Sequence, residues 1–142
     1  MSRSALITCF KKIVGSRHVL TSERATAPFR TGFREGQGPA LAVVKPASLW
    51  QQWQLLDACV KANVIVIMQA ANTGLTGGST PSQGCDRDTV IINTSRINDI
   101  HVLDQQQQIL AFPGASLFSL EKTLAPYGHV PHSVIGSSCI GA

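Results

Sequence analysis

Between residues 69 and 81 the chain reads Gln69-Ala70-Ala71-Asn72-Thr73-Gly74-Leu75-Thr76-Gly77-Gly78-Ser79-Thr80-Pro81. This stretch holds three glycines, three threonines and one serine, and no charged side chain. Its chemistry must therefore come from the main chain. Small residues let a ligand approach the backbone, and glycines permit turns that aim several N–H groups at one point. A concavity of that kind suits an anion, most simply a phosphate or a pyrophosphate. It is not a P-loop, because the lysine of G-x-x-x-x-G-K-[ST] is missing. The G-x-G-x-x-G fingerprint of doubly wound sheets is absent too. The same composition also suits a plain turn-rich connection between elements.

Other constellations carry less. His129 and His132 are three residues apart, but Pro131 between them opposes a helix, and no acidic or cysteine neighbour completes a metal site. Serine, histidine and aspartate occur without a G-x-S-x-G elbow. Asp86 and Asp88 read as solvated turn residues rather than an acid–base pair. Neither a catalytic nor a metal-ligating residue is assigned. Cys9, Cys59, Cys85 and Cys139 form no C-x-x-C pair, which leaves zinc and redox motifs unsupported and fits a reducing compartment. A second small-residue stretch, Gly136-Ser137-Ser138, lies in the tail from His129 to Ala142. Two such loops without a nucleophile fit the holding of a cofactor that brings its own chemistry.

The elements that would position the first loop can be read from periodicity. Val64 to Met68 is an unbroken apolar run and reads as a buried strand. Leu41 to Val44 reads as another, ended by Lys45-Pro46. Between them Ser48 forms a capping box with Gln51 and opens a helix to about Ala62. Leu49, Trp53, Leu56 and Val60, with Trp50 and Cys59 beside them, are the expected core face. Strand, helix and strand make a βαβ unit with parallel strands and a right-handed crossover. The small-residue loop then leaves a carboxyl edge, where open α/β sheets bind ligands. Upstream, residues 4–14 predict a helix closed by Gly15, and a second helix runs from a Thr21 or Ser22 cap to before Pro28. Phe29 to Pro39 reads as a loop in which Arg30 and Arg34 are solvated. Downstream come a strand over Thr89–Asn93, a hairpin from Ile97–Leu103 to Gln108–Phe112, and a helix capped by Ser116 with Leu117, Leu120 and Leu124 inward.

The 142 residues suit one domain of ordinary size, 44% hydrophobic, 14% charged, with a net charge of +4. Low charge suggests surface that expects cover by a cofactor, a partner or further chain. The basic residues form no stripe with interleaved aromatics, which makes nucleic-acid binding the weakest class. No apolar run approaches the ~20 residues of a membrane span.

The run from Met68 to Pro81 resembles the pyrophosphate loop of FAD enzymes of the vanillyl-alcohol-oxidase/p-cresol-methylhydroxylase type. Among them it is most similar to the respiratory, quinone-dependent D-lactate dehydrogenases. Gly32-Phe33-Arg34, Gly36-Gln37-Gly38, Asp86-Arg87-Asp88, Ser119-Leu120-Glu121-Lys122 and Pro131 to Ala142 share in the resemblance. It implies an α+β fold: the N-terminal half of a two-lobed FAD-binding domain, a βαβ unit followed by strands and a helix, incomplete at the C-terminus. Residues 1–38 would be a helical lead-in and 39–142 the FAD-binding domain. It implies FAD held by Ala70, Ala71, Asn72, Thr73 and Gly74, by Gly78 and Ser79, and by Gly136 on the flavin side. Gly77 stands where some members carry a bulkier polar residue, which should loosen the loop slightly. D-lactate and quinone are the implied partners, with peripheral attachment to the cytoplasmic side of the bacterial inner membrane through segments not in this chain. Because family members are several times longer, the chain is expected to be an N-terminal piece, inactive alone. A non-catalytic remnant, half of a split enzyme, or an FAD enzyme for another 2-hydroxy acid such as glycolate are the alternatives.

Overall fold

A computed structural model describes residues 1–131. Helix α1 (Arg3–Val14) starts where the Ser2 hydroxyl accepts from the Ala5 N–H, and it stops at Gly15, whose φ of +84° suits glycine. Leu6, Phe10 and Val14, at four-residue spacing, are its buried stripe. Burying a Leu or Phe side chain stabilises by roughly 1.5–3 kcal/mol, enough to fix this helix on the sheet.

Among the described residues the sheet has four strands, in the order β1 (Val19–Leu20), β2 (Ala42–Val44), β4 (Thr89–Asn93), β3 (Ile65–Gln69). β1 is antiparallel to β2; β2 and β3 each run parallel to β4. The expected βαβ unit is present, with β4 laid between its two strands. Ala42, Val44, Val90 and Ile92 pack with Leu6, Phe10, Val14, Leu55 and Cys59 in one core. The N-terminal helix therefore shares its core with the βαβ unit. Val43 and Ile91 are fully buried as well, and by the period of two they face the opposite side.

Helix α3 (Leu49–Lys61) is where expectation and structure part. Leu55, Ala58 and Cys59 are buried, whereas Leu49, Trp50, Trp53, Leu56 and Val60 are exposed. The two tryptophans stack on each other, ring centroids 4.8 Å apart, in place of entering the core. Both faces of this helix are apolar, so periodicity could not say which one meets the sheet. The cap also differs: Ser48 Oγ accepts from the Gln51 N–H, but Gln51 Oε1 reaches the N–H of Ala47, while its Nε2 donates to the Ile13 carbonyl of α1.

Helix α2 (Glu23–Arg30), capped by Ser22, continues through Pro28 and takes Phe29 and Arg30 out of the expected loop. Carbonyls at and beyond its end are satisfied by the side chains of Gln69 and Asn72. Beyond β4, β5 (Ile100–Leu103) and β6 (Gln108–Ala111) form a separate antiparallel hairpin. Ile97 is buried in the turn before it and is not part of the strand. Helix α4 (Leu117–Leu124) is capped by Ser116; Leu124 is buried, and Leu117 and Leu120 are half-buried.

Candidate functional site

The small-residue loop leaves the carboxyl end of β3, as its sequence predicted. Ala70 is buried, residues 71–74 are half-buried, Leu75 and Thr76 are exposed, and Ser79 and Thr80 return to the interior. Among the described residues, no backbone N–H from 70 to 79 donates a hydrogen bond. The first amide to do so is that of Thr80, to the Gly77 carbonyl at 3.2 Å. Main-chain donors left uncommitted at a sheet edge can bind an anion where they converge. Gly74 and Gly78 leave the loop open: a Cβ on Gly74 would point at Ser79 Oγ from 3.7 Å, and one on Gly78 would meet nothing within 4 Å. Thr73 Oγ1 is enclosed there without a hydrogen-bond partner. An oxygen-rich ligand would satisfy it.

The side chains that shape the loop lie mostly outside it. Gln69, the last residue of β3, is buried; its Nε2 donates to the Ser79 carbonyl and to the Phe29 carbonyl, both at 2.8 Å. Its Oε1 accepts from Asn93 Nδ2 at 3.2 Å, and the same Nδ2 donates to the Ala70 carbonyl at 2.9 Å. The Thr94 N–H and hydroxyl both donate to the Gln69 carbonyl. Two amide side chains at the carboxyl ends of adjacent strands thus tie both feet of the loop and the end of α2 together. Asn72 completes the frame. Its φ is +58°, a conformation asparagine tolerates better than most residues. Its Nδ2 donates to the carbonyls of Thr31 at 2.8 Å and Pro28 at 3.4 Å, and its Oδ1 accepts from the Ser79 hydroxyl at 2.9 Å. These bonds, with those of Gln69, explain why α2 outlasts Pro28.

The Gly32–Gly38 turn packs against the same loop. Gly36 has φ +89°, and a Cβ there would fall 1.9 Å from Thr80 Oγ1 and 3.2 Å from the Gly77 Cα. Gly77 itself has φ +72°, and its carbonyl accepts from both the N–H and the hydroxyl of Thr80. The Gly77 carbonyl thus ties this turn of the loop to Thr80.

The structure brings Ala70, Ala71, Asn72, Thr73, Gly74, Gly78 and Ser79 into this one loop; Gly136 lies outside the described residues. Sequence reasoning missed Gln69 and Asn93 as organisers. Their signal was available: each is a carboxamide closing an otherwise apolar strand. Arg30, read as solvated, keeps only 20% of its side chain exposed and has a buried Nε without a partner, while Nη2 reaches Glu23 at 3.5 Å. Asp88, also read as solvated, accepts a two-pronged bond from Arg3 with both distances 2.7 Å. That pair borders a hollow of about 520 Å³ at the amino ends of the parallel strands. The hollow is a separate feature from the loop, which leaves the carboxyl end. Among the described residues, no group of three His, Cys, Asp or Glu side chains could hold a metal ion, and no helix is long and apolar enough to cross a membrane.

The chain is 58% identical to a quinone-dependent D-lactate dehydrogenase of Escherichia coli (strain K12), over 97% of this chain and 24% of that protein. It spans about a quarter of the length of the curated relatives it matches. Among solved structures, alkyldihydroxyacetonephosphate synthase superposes with a TM-score of 0.81 at 21% identity, covering 99% of this chain and 28% of that one. p-Cresol methylhydroxylase with substrate bound gives 0.73 at 15% identity, covering 88% and 25%. The mixed α+β fold is shared with these structures. The model of the family described as FAD binding domain matches residues 40–142, most of the chain, and the chain therefore belongs to that family.

Proposed function

We propose that the uncommitted amides of residues 70–79 hold the pyrophosphate of FAD, and that the chain is the cofactor-binding portion of an enzyme oxidising D-lactate to pyruvate and passing the electrons to a quinone. The observation that carries this reading is the row of free N–H donors at the carboxyl end of β3. Ala70, Ala71, Asn72, Thr73 and Gly74 would contact the diphosphate on one side and Gly78 and Ser79 on the other. Residues 39–142 form the binding domain, and residues 1–38 a lead-in packed on it. Gly136 would approach the flavin side. Bound FAD supplies the hydride acceptor for a 2-hydroxy acid. This chain's part is to neutralise and orient the cofactor with dipoles that need no reorganisation. Gln69, Asn93 and the side chain of Asn72 face inward and hold the donors in place. No residue here is assigned to proton abstraction. The resemblance also supports peripheral attachment at the cytoplasmic face of a bacterial inner membrane.

Titration of the chain with FAD, followed by its visible spectrum and by protein fluorescence, tests the reading. Trp50 and Trp53 are the two tryptophans, both remote in sequence from the loop, so the flavin spectrum is the primary signal. Saturable perturbation that Gly78→Val weakens would support it. No perturbation at high micromolar FAD overturns the cradle for this chain. Lactate oxidation on co-expression with the rest of a relative's enzyme, and its absence when Gly78→Val replaces the wild type, would connect the cradle to the activity.

A further inference from the structure

The carboxyl edge of the sheet also carries a cluster of basic side chains, at the ends of β2 and β4. Val19 stands opposite Val44 in the β1–β2 pair, which sets His18 beside Lys45; the Lys45 N–H donates to the His18 carbonyl at 2.9 Å. Three residues beyond β4, Arg96 turns back and donates from Nη1 to the Lys45 carbonyl at 2.7 Å. Arg17 adjoins His18. Four basic side chains thus gather where β2 and β4 end, with β4 separating β2 from β3.

Among the described residues, no carboxylate pairs with them. The ion pairs among the described residues are Arg3–Asp88, Arg30–Glu23, Lys61–Asp57 and Arg87–Asp86, and residues 132–142 contain no Asp or Glu. His18, Lys45 and Arg96 are half-buried. The Lys45 ammonium lies 4.5 Å from the centre of the Phe29 ring, a contact that fixes its position without cancelling its charge. Burial first, then Arg96, lowers the affinity of Lys45 for its proton. Burial, then Arg96, Arg17 and Lys45, does the same to His18. The cluster is preorganised and short of negative charge. Arg96 is anchored through one nitrogen to a carbonyl, which leaves its other N–H groups for a second acceptor, and Lys45 adds a point charge beside it.

We propose that Lys45, Arg96 and His18 form an oxyanion site for a phosphate or phosphomonoester, distinct from the amide loop. Arg17 adds long-range attraction from its exposed position. The proposal rests on these side chains and not on the FAD reading.

The test is a backbone-amide NMR titration of the full chain with inorganic phosphate, and separately with glycerol 3-phosphate, sodium chloride holding the ionic strength constant. The expected result is saturable shifts at His18, Lys45 and Arg96. Lys45→Gln and Arg96→Gln should each weaken binding by about tenfold or more, the loss expected for one charged donor. Lys45→Gln leaves the backbone bonds of Lys45 in place, so it reads the charge even if Arg96→Gln unfolds the turn. Arg34→Gln, an exposed arginine elsewhere, should change nothing. A stronger response to the ester than to the free ion identifies a phosphomonoester; the reverse identifies free phosphate. Shifts confined to residues 70–79 overturn this site while supporting the loop. Shifts at the cluster with a silent loop support this site and leave the FAD titration to decide the loop. A non-saturating response equal to that of chloride overturns it outright.

Discussion

Replacing Gln69 by Leu removes the group on which the cradle's geometry turns. The substitution strips the donor from two carbonyls, those of Phe29 and Ser79, each held at 2.8 Å by one buried carboxamide. Asn93 Nδ2 keeps its bond to the Ala70 carbonyl and so loses less. A buried carbonyl left without a donor costs about 1–3 kcal/mol, giving roughly 2–6 kcal/mol for two. The apolar side chain placed at a site only 2% exposed returns about 1 kcal/mol. The expected loss is therefore about 1–5 kcal/mol, a large share of the ~5–15 kcal/mol of an ordinary domain. Equilibrium urea unfolding followed by circular dichroism measures it. Asn72→Gly is the companion variant: it deletes the Thr31, Pro28 and Ser79 side-chain bonds, yet glycine accepts the φ of +58°. Those bonds are more exposed, so the loss should be about 1 kcal/mol, with FAD affinity falling about tenfold because the donors lose their frame. A Gln69→Leu midpoint matching the wild type within about 0.5 kcal/mol would mean that water already serves those carbonyls. The claim that this side chain organises the loop would then be wrong.

Packing and burial set two further outcomes. Gly36→Ala should destabilise by about 1–3 kcal/mol and weaken FAD binding, because the methyl meets Thr80 Oγ1 and the φ of +89° strains any side chain; thermal unfolding and flavin titration read both, and an unchanged melting point would refute the close approach. Burial, helped by nearby Cys9, pushes the Cys59 thiol from 9.0 to about 12. The unfolded thiol ionises first, so stability is full below pH 9 and falls as pH rises from about 9 toward 12, by about 1.4 kcal/mol per unit at most. Urea midpoints across that window should fall more steeply for wild type than for Cys59→Ala; parallel curves would refute the assignment.

Much of the fold was legible because burial and local chemistry agreed. Val64–Met68 and Thr89–Asn93 are short apolar runs that only a covered sheet explains, and Ser22, Ser48 and Ser116 each cap a helix where predicted. The placement of the small-residue loop came from the handedness and direction of a βαβ unit. What could not be read was set by distant partners. The Trp50–Trp53 face of α3 is as apolar as the Leu55–Cys59 face, and only the positions of α1 and the sheet decide between them. Pro28 suggested a helix end, but Gln69 and Asn72 support the carbonyls around it from 40 and more residues away. The roles of Gln69 and Asn93 were half-visible, since a carboxamide inside an apolar strand needs an explanation. Arg3 and Asp88 gave no sequence signal for their pairing across 85 residues.

The position of β4 also has a kinetic meaning. β2 and β3 share no hydrogen bonds with each other; each finds its parallel partner only in residues 89–93. During synthesis, the helical crossover emerges before the strand that closes it, and β3 must wait with both edges bare. Such delayed, long-range closure slows folding and exposes an unpaired edge to other chains. Inserting flexible residues into the segment between Pro81 and Asp88 should therefore retard folding and raise aggregation during refolding, even where the final structure is unchanged.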